Sequence, residues 1–308
     1  MKTRLTRVIR QHVAGGALSI AALLLLAASA QAQNLFEADL KSGNIYEFTP
    51  NGTRSTFASG LDQPFGLAFD SAGNLFEADL KSGNIYEFTP NGTRSTFASG
   101  LDQPFGLAFN SAGNLFVGDN GIGNGYGNIY EFSANGTRST FASGLSGPLG
   151  LAFNSAGDLF EADEGSDNIY EFSANGTRST FASLLTQPEG LAFDSAGNLY
   201  VGVAGSVLGA EGIIEFTPGP VPVESEFAAV PGGESYELAF DSKGNLYQAD
   251  AANDRINEFT TPNATESLFA SGLEYPAGLA FQLVPEPSTW VLVGLGLSAL
   301  LVSRRWKA

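Results

Sequence analysis

The sequence predicts an all-β chain folded as a six-bladed β-propeller, closed by its last strand, 278–281, completing the first blade. Three observations predict it. A forty-residue unit, clearest over 74–113, recurs with small changes along most of the 308 residues. Within it, short apolar runs alternate with turn chemistry at a spacing that leaves room only for short strands. The first and last copies are also incomplete in complementary ways: the first begins without its leading strand, and the last stops after it.

Each unit resolves into four strands. The run Phe105-Gly106-Leu107-Ala108-Phe109 leads into Ser111-Ala112-Gly113-Asn114. Its glycine supplies the positive φ that a tight hairpin needs, which separates strand A from strand B. Leu75 to Ala78 runs into Asp79-Leu80-Lys81-Ser82-Gly83, and an alternating aromatic and β-branched pattern resumes over Ile85 to Phe88 as strand C. Pro90-Asn91-Gly92 is a hairpin signal joining strand C to strand D over 95–99. Such a four-stranded meander carries Phe, Leu, Ile and Tyr on both faces, so it needs a like sheet on either side. The strand B core recurs six times, at Leu35, Leu75, Leu115, Leu159, Leu199 and Leu246. Strand A also recurs six times, ending at Phe69, Phe109, Phe153, Phe193, Phe240 and Phe281. A linear solenoid has no reason to start and stop out of phase, whereas a ring closes when 278–281 joins 34–59.

Three segments are expected: 1–32, 33–283 and 284–308. Lys2, Arg4, Arg7 and Arg10 precede an apolar stretch from Val13 to Ala28, and Ala30-Gln31-Ala32 is a small-x-small cleavage site. This is the pattern of a secretory signal peptide. Residues 33–283 form the ring. They hold 31 Asp and Glu against 8 Lys and Arg, a net −23, which argues against nucleic acid and anionic lipid as partners. There is no cysteine, and the one histidine, His12, lies in the leader. The exported part therefore lacks the commonest general base and the thiol nucleophile.

Residues 34–69 and 74–109 are identical, so the first two blades are expected to be interchangeable scaffold, with any unique site elsewhere. Copy three has a longer Gly-rich loop over 120–127, and copy five has the loop 204–212 and a Pro-rich connection over 218–222. Divergent loops on a regular scaffold either carry function or mark tolerated insertions.

The run from Gln103 to Phe109, then Ser111 to Phe116, Asp119 and Asn128-Ile129-Tyr130, resembles the NHL repeat pattern P-x-G-[IL]-A-x-D-x-x-G-N-[IL]-Y-V-x-D. It is also similar to the six-bladed gluconolactonase-like and virginiamycin B lyase-like propellers, over about 34–281. The resemblance implies the fold, within a group that includes lactonases, lyases and binding scaffolds. A lyase of the virginiamycin type relies on histidine, which 33–283 lacks. The lactonase-like members hold a divalent metal through oxygen ligands around the central channel, one of which enters from the loop before strand A. The corresponding positions here are Phe65, Phe105, Leu149, Glu189, Tyr236 and Ala277, so Glu189 is the one carboxylate among them. Glu237, which replaces a strand A glycine, and Asp163 complete the candidate set for Ca²⁺ or another divalent metal; the leading expectation is no cofactor.

The acids that recur once per blade have two readings. Asp39, Asp79, Asp119, Asp163 and Asp250 end strand B in five copies, with Val203 in copy five. Asp in that position either caps the backbone of the following turn or contributes to a ring of calcium ligands. Glu47, Glu87, Glu131, Glu171, Glu215 and Glu258 recur in strand C and so share one environment. The Asn-Gly-Thr triplets at Asn51, Asn91, Asn135 and Asn175 match a glycosylation sequon, yet each is accounted for by the C–D turn. Arg54, Arg94, Arg138 and Arg178 open the outermost strand, where charge discourages edge pairing.

At the far end, Val284-Pro285-Glu286-Pro287-Ser288 precedes an apolar stretch from Trp290 to Val302 and then Arg304-Arg305-Trp306-Lys307. This resembles the PEP-CTERM sorting tail recognised by exosortases in Gram-negative bacteria that make extracellular polysaccharide. The resemblance implies Val284, Pro285, Glu286 and Pro287 as the sorting motif and an exosortase-type membrane protease as a partner. Arg304, Arg305 and Lys307 form a membrane stop by the positive-inside preference. Contact with the membrane is expected only through this tail, before processing. The sequence thus reads as an exported surface or matrix protein, a non-enzymatic scaffold for a protein or polysaccharide partner. The alternative is a metal-dependent lactonase-like hydrolase working at the channel mouth.

Overall fold

A computed structural model describes residues 33–282, apart from 122–125, 206–210, 220–221, 232 and 262. Residues 1–32, expected as a leader, and the sorting tail lie outside the described residues. So do parts of the divergent loops of copies three and five.

Six four-stranded antiparallel sheets follow one another along the chain. Blade two is typical: strand A is Pro64–Phe69, strand B Leu75–Asp79, strand C Asn84–Phe88 and strand D Arg94–Ala98. Strand D begins one residue before the 95–99 expected, because Arg94 still pairs with Phe88. Blade one takes strands B, C and D from Leu35–Asp39, Asn44–Phe48 and Arg54–Ser59, and its strand A from Pro276–Phe281 at the other end of the chain. Leu35 pairs with Phe281 and Glu37 with Leu279, so the ring is closed as the phase of the repeats predicts. Strands A and B of the remaining blades are Pro104–Phe109 and Leu115–Asp119 (three), Pro148–Phe153 and Leu159–Asp163 (four), Thr186–Phe193 and Leu199–Gly205 (five), and Ser235–Phe240 and Leu246–Asp250 (six).

Among the contacts between neighbouring blades, one aromatic pair is used six times. A strand B ring meets the last strand A ring of the next blade edge to face. The pairs are Phe36–Phe69, Phe76–Phe109, Phe116–Phe153, Phe160–Phe193, Tyr200–Phe240 and Tyr247–Phe281, with centroids 5.0 to 5.1 Å apart. Each such pair adds about 0.5–1.5 kcal/mol beyond the area it buries. The sixth pair closes the ring and is indistinguishable from the other five.

Strand A carries a bulge in all six blades, and the bulge builds the channel. In blade two the register passes from Pro64–Asp79 to Leu67–Glu77, leaving Phe65 and Gly66 opposite one residue. The extra residue re-aims the Phe65 side chain off the sheet face. Here glycine is required by contact: a Cβ on Gly66 would lie 2.1 Å from the Phe105 carbonyl oxygen, and one on Gly278 would lie 1.9 Å from that of Phe65.

Candidate functional site

The bulge residues Phe65, Phe105, Leu149, Glu189, Tyr236 and Ala277 ring one end of the channel, each at the start of its strand A. Their side chains are not equivalent. Ala277 of blade one is fully buried and small, and the Phe65 ring reaches past it to Tyr236 of blade six, 5.2 Å between centroids. Phe65 also meets Phe105 edge to face at 4.8 Å, and Tyr236 meets Tyr275 at 5.6 Å. Four aromatic rings thus occupy one side of the mouth. The two identical copies are therefore not interchangeable here: Phe65 is buried and Phe105 partly exposed, because their neighbours differ.

Glu189 lies in the bulge of blade five, the blade next to that of Tyr236, where the register passes from Pro188–Val203 to Leu191–Val201. It is 6% exposed, and its Oε2 has no hydrogen-bond partner. Burial pushes its carboxyl up to about 8, Glu234 and Glu164 add to the shift, and the Ser235 backbone N–H opposes it. A polar chain runs beside it: the Tyr275 hydroxyl donates to Glu234 Oε2 and lies 3.1 Å from the Tyr236 hydroxyl. Lys41 Nζ sits 4.1 Å from the centre of the Tyr275 ring.

The other two candidate ligands are engaged differently. Asp163 is buried; Oδ2 accepts the Ser146 amide at 2.7 Å and Oδ1 the Ser166 amide at 3.1 Å. Glu237 is half-buried in the bulge of blade six, and burial pushes its carboxyl up to about 8 against the Leu238 N–H. Among the described residues no group of three or more His, Cys, Asp or Glu side chains is placed to hold a metal ion.

The strand-end aspartates act as clips. Asp79 accepts amides from Ser82 in the B–C turn and Asp62 in the loop entering strand A, at 3.1 and 2.8 Å. Asp39 does the same with Ser42 and Glu274, at 3.0 and 2.6 Å. Asp119 takes Asp102 and Gly121, whereas Asp250 instead binds the side chains of Asn253 and Arg255. Each clip ties two loops of one end together, which is the capping reading.

The strand C glutamates serve the opposite end, and their partner depends on the turn before strand B. Where that turn opens with Asp, as at Asp194 and Asp241, the following Asn bonds the Asp. There strand B carries Tyr200 or Tyr247, whose hydroxyl bonds Glu215 or Glu258 instead. In blades one and three Asn34 and Asn114 donate directly to Glu47 and Glu131, both at 2.7 Å. Blade two has Asp70 and Phe76, so Glu87 receives neither contact and lines a cleft of about 590 Å³ between blades two and three.

Arg54, Arg94, Arg138 and Arg178 do more than guard an edge: each guanidinium lies over the strand C tyrosine of its own blade at 4.7 to 4.9 Å. Arg94 also donates to the Gly60 carbonyl of the blade before, at 3.3 Å.

One set of acids escaped the sequence reading. Glu37, Glu77 and Glu161, at the centre of strand B, are completely buried, and neither oxygen of any of them has a partner. Burial holds their carboxyls well above 4.5, the following Asp adds to this, and the arginine of the same blade opposes it. The signal was the register: Glu37 alternates with Leu35 on the face that carries Tyr46 and Leu279. Val117 and Val201 fill the same position in blades three and five, and Gln248, bonded to Ser235 and Asn257, fills it in blade six.

Residues 283–305 match the PEP-CTERM protein-sorting motif. No curated protein matches the sequence. Among solved structures, a chain of a nidogen/laminin complex superposes with a TM-score of 0.70 at 20% identity, over 82% of this chain and 98% of that one. A putative gluconolactonase gives 0.62 at 18% identity, over 79% and 87%. Virginiamycin B lyase from Staphylococcus aureus gives 0.59 at 14% identity, over 80% and 87%. At these identities the likeness is one of fold, a six-bladed propeller shared by binding proteins and enzymes.

Proposed function

We propose that this chain is an exported propeller that works outside the inner membrane as a non-enzymatic scaffold, held at the cell surface or in its matrix and binding a protein or polysaccharide partner. The observation that carries this reading is the sorting motif at 283–305. Export by the 1–32 leader would place the propeller outside, while Arg304, Arg305 and Lys307 resist translocation. The apolar stretch of thirteen residues from Trp290 to Val302 is shorter than the ~20 that span a bilayer, which suits a segment that pauses there before removal. Val284-Pro285-Glu286-Pro287, a sequence whose prolines favour extended backbone, would then meet an exosortase-type protease. The mouth supports binding over catalysis, since aromatic rings fill one side of it and no His or Cys is present in 33–283.

Intact-mass measurement of protein from the native host tests this. The expected mass lacks residues 1–32 and the apolar tail. A mass that still includes 290–308 makes the tail a permanent anchor and overturns the sorting.

A further inference from the structure

The cleft between blades two and three, at the end of the ring that carries the A–B and C–D turns, measures about 590 Å³. That lies within the ~300–1,000 Å³ typical of small-ligand sites. Its apolar part includes the half-buried rings of Phe97 and Phe109, each of which meets Phe76 edge to face at 5.0 Å. Its polar part includes Glu87 from strand C of blade two and Asn110 from the A–B turn of blade three. Asn110 Oδ1 accepts the Ala112 and Asn114 amides at 3.0 and 2.9 Å, and its Nδ2 donates to no described residue. Glu87 is likewise without a hydrogen-bond partner among the described residues, because Asn74 is taken by Asp70.

Among the described residues no other interface between blades offers this pairing. Elsewhere the strand C glutamate is taken up by Asn34, Asn114, Tyr200 or Tyr247, or the next blade opens its A–B turn with an acid, as at Asp194. Asn154, the counterpart of Asn110 in blade four, gives its amide to Asp158 at 3.2 Å. The space is specific too. Blades one and two carry Pro50 and Pro90 in the C–D turn, and Pro90 Cγ lies 3.9 Å from the point where a Cβ on Gly73 would stand. Blade three has Ala134 instead, and nothing lies within 4 Å of a Cβ on Gly113.

A free acceptor and a free donor in one cleft select a ligand that both donates and accepts. A cation would leave the Asn110 amide unanswered, an anion would meet the Glu87 carboxylate, and a hydrocarbon would strip water from both without replacing its hydrogen bonds. A pyranose has adjacent hydroxyls that each donate and accept, and its ring C–H bonds form an apolar face that buries against aromatic rings. We infer that the cleft binds a pyranose unit, belonging to a free sugar or to a glycan. One hydroxyl donates to Glu87, its neighbour accepts from Asn110 Nδ2, and the C–H face rests on Phe97 and Phe109. This rests on the scaffold reading and deepens it, by giving the ligand a chemical class and a place away from the channel.

The test is titration of the exported protein, followed by calorimetry and by saturation transfer to the C–H protons of the sugar. The probes are the methyl pyranosides of glucose, galactose and mannose, N-acetylglucosamine, cellobiose and maltose, with glycerol, cyclohexanol and tetramethylammonium as comparisons. Saturable binding of at least one sugar, tighter than that of any comparison compound, is expected. A disaccharide bound more tightly than its monosaccharide assigns the unit to a glycan, and the reverse assigns it to a free sugar. Asn110→Asp and Ala134→Pro copy Asp70 and Pro90 of blade two, so the turns are kept while the donor is lost or the cleft narrowed. Both should weaken binding, and Glu87→Gln should weaken it about tenfold, as loss of one charge-assisted bond does. Glu171→Gln, in blade four, should leave it unchanged. No saturable binding of any of these sugars, equal binding of cyclohexanol, tighter binding of tetramethylammonium, or binding indifferent to both Glu87→Gln and Asn110→Asp overturns the inference. Sugar binding that fails in protein whose intact mass lacks 1–32 and the apolar tail rejects the cleft and leaves the scaffold reading standing.

Discussion

The Asp39 carboxylate accepts the backbone amide of Glu274 at 2.6 Å, across 235 positions of the chain. Together with the Leu40 amide on the Tyr275 carbonyl, it fastens the two ends of the ring at the same place where Asp79 fastens a loop within one copy. Asp39→Ala strands two amides, so it should cost about 1–3 kcal/mol in urea unfolding. Asp79→Ala should cost a similar amount. An unchanged midpoint for Asp39→Ala would show that the clip contributes nothing to closure.

Truncation after Ala277 should be far more damaging than truncation after Leu283. It removes Leu279, which is 3% exposed, and the Phe281 ring that meets Tyr247. Full burial of such side chains contributes about 1.5–3 kcal/mol each, and the inner edge of blade one would lose its partner strand. Equal unfolding midpoints for the two proteins would contradict closure by the last strand.

Stability should fall as pH rises above 4.5. Glu37, Glu77 and Glu161 have folded-state carboxyls held well above that value by burial. Their contribution is therefore fully present below the unfolded-state pKa and is lost as pH rises through the folded one. Glu77→Val copies what Val117 does one blade on, beside the equivalent tyrosine. The variant should be more stable than the parent at pH 8 by about 1–3 kcal/mol, and its midpoint should depend less on pH. A variant less stable than the parent at pH 8 would mean the carboxyl is satisfied when ionised.

Gly66→Ala should destabilise by about 3 kcal/mol, the upper range for overpacking, because the new methyl meets a backbone oxygen at 2.1 Å. Gly60→Ala separates contact from conformation: its φ is +73° but nothing lies within 4 Å of a Cβ, so it should cost about 1 kcal/mol. Thermal melts of the two variants decide whether close approach or backbone hand sets the glycine.

EDTA followed by Ca²⁺ should leave the melting midpoint where it was. A metal held at a hundred times its dissociation constant adds about 2.7 kcal/mol. A rise of several degrees with Ca²⁺ would instead favour a metal-dependent hydrolase.

The blade count, the closing strand and the capping role of Asp39 and its counterparts were legible because each rests on local chemistry repeated in phase. Period and turn residues report strands, and an Asp before a turn reports a cap. The mouth was legible only in part. Glu189 stood out as the one carboxylate in its column, but the link from Phe65 to Tyr236 across Ala277 joins blades two and six, which no local pattern can pair. Glu37 was invisible for a related reason. A charged residue at an alternating position reads as solvent-facing, and only the presence of a second sheet on that side shows it to be buried.

The closing strand has a further consequence for how the gene can change. Residues 34–69 and 74–109 are identical, and slippage between two such segments deletes or adds forty codons in frame. The chain would still begin with a strand B and end with a strand A, and every interface would still offer the same pair of rings, so the two ends match whatever the copy number. Six is then a property of wedge angle and channel filling, and rings one blade smaller or larger lie a single recombination away from this one.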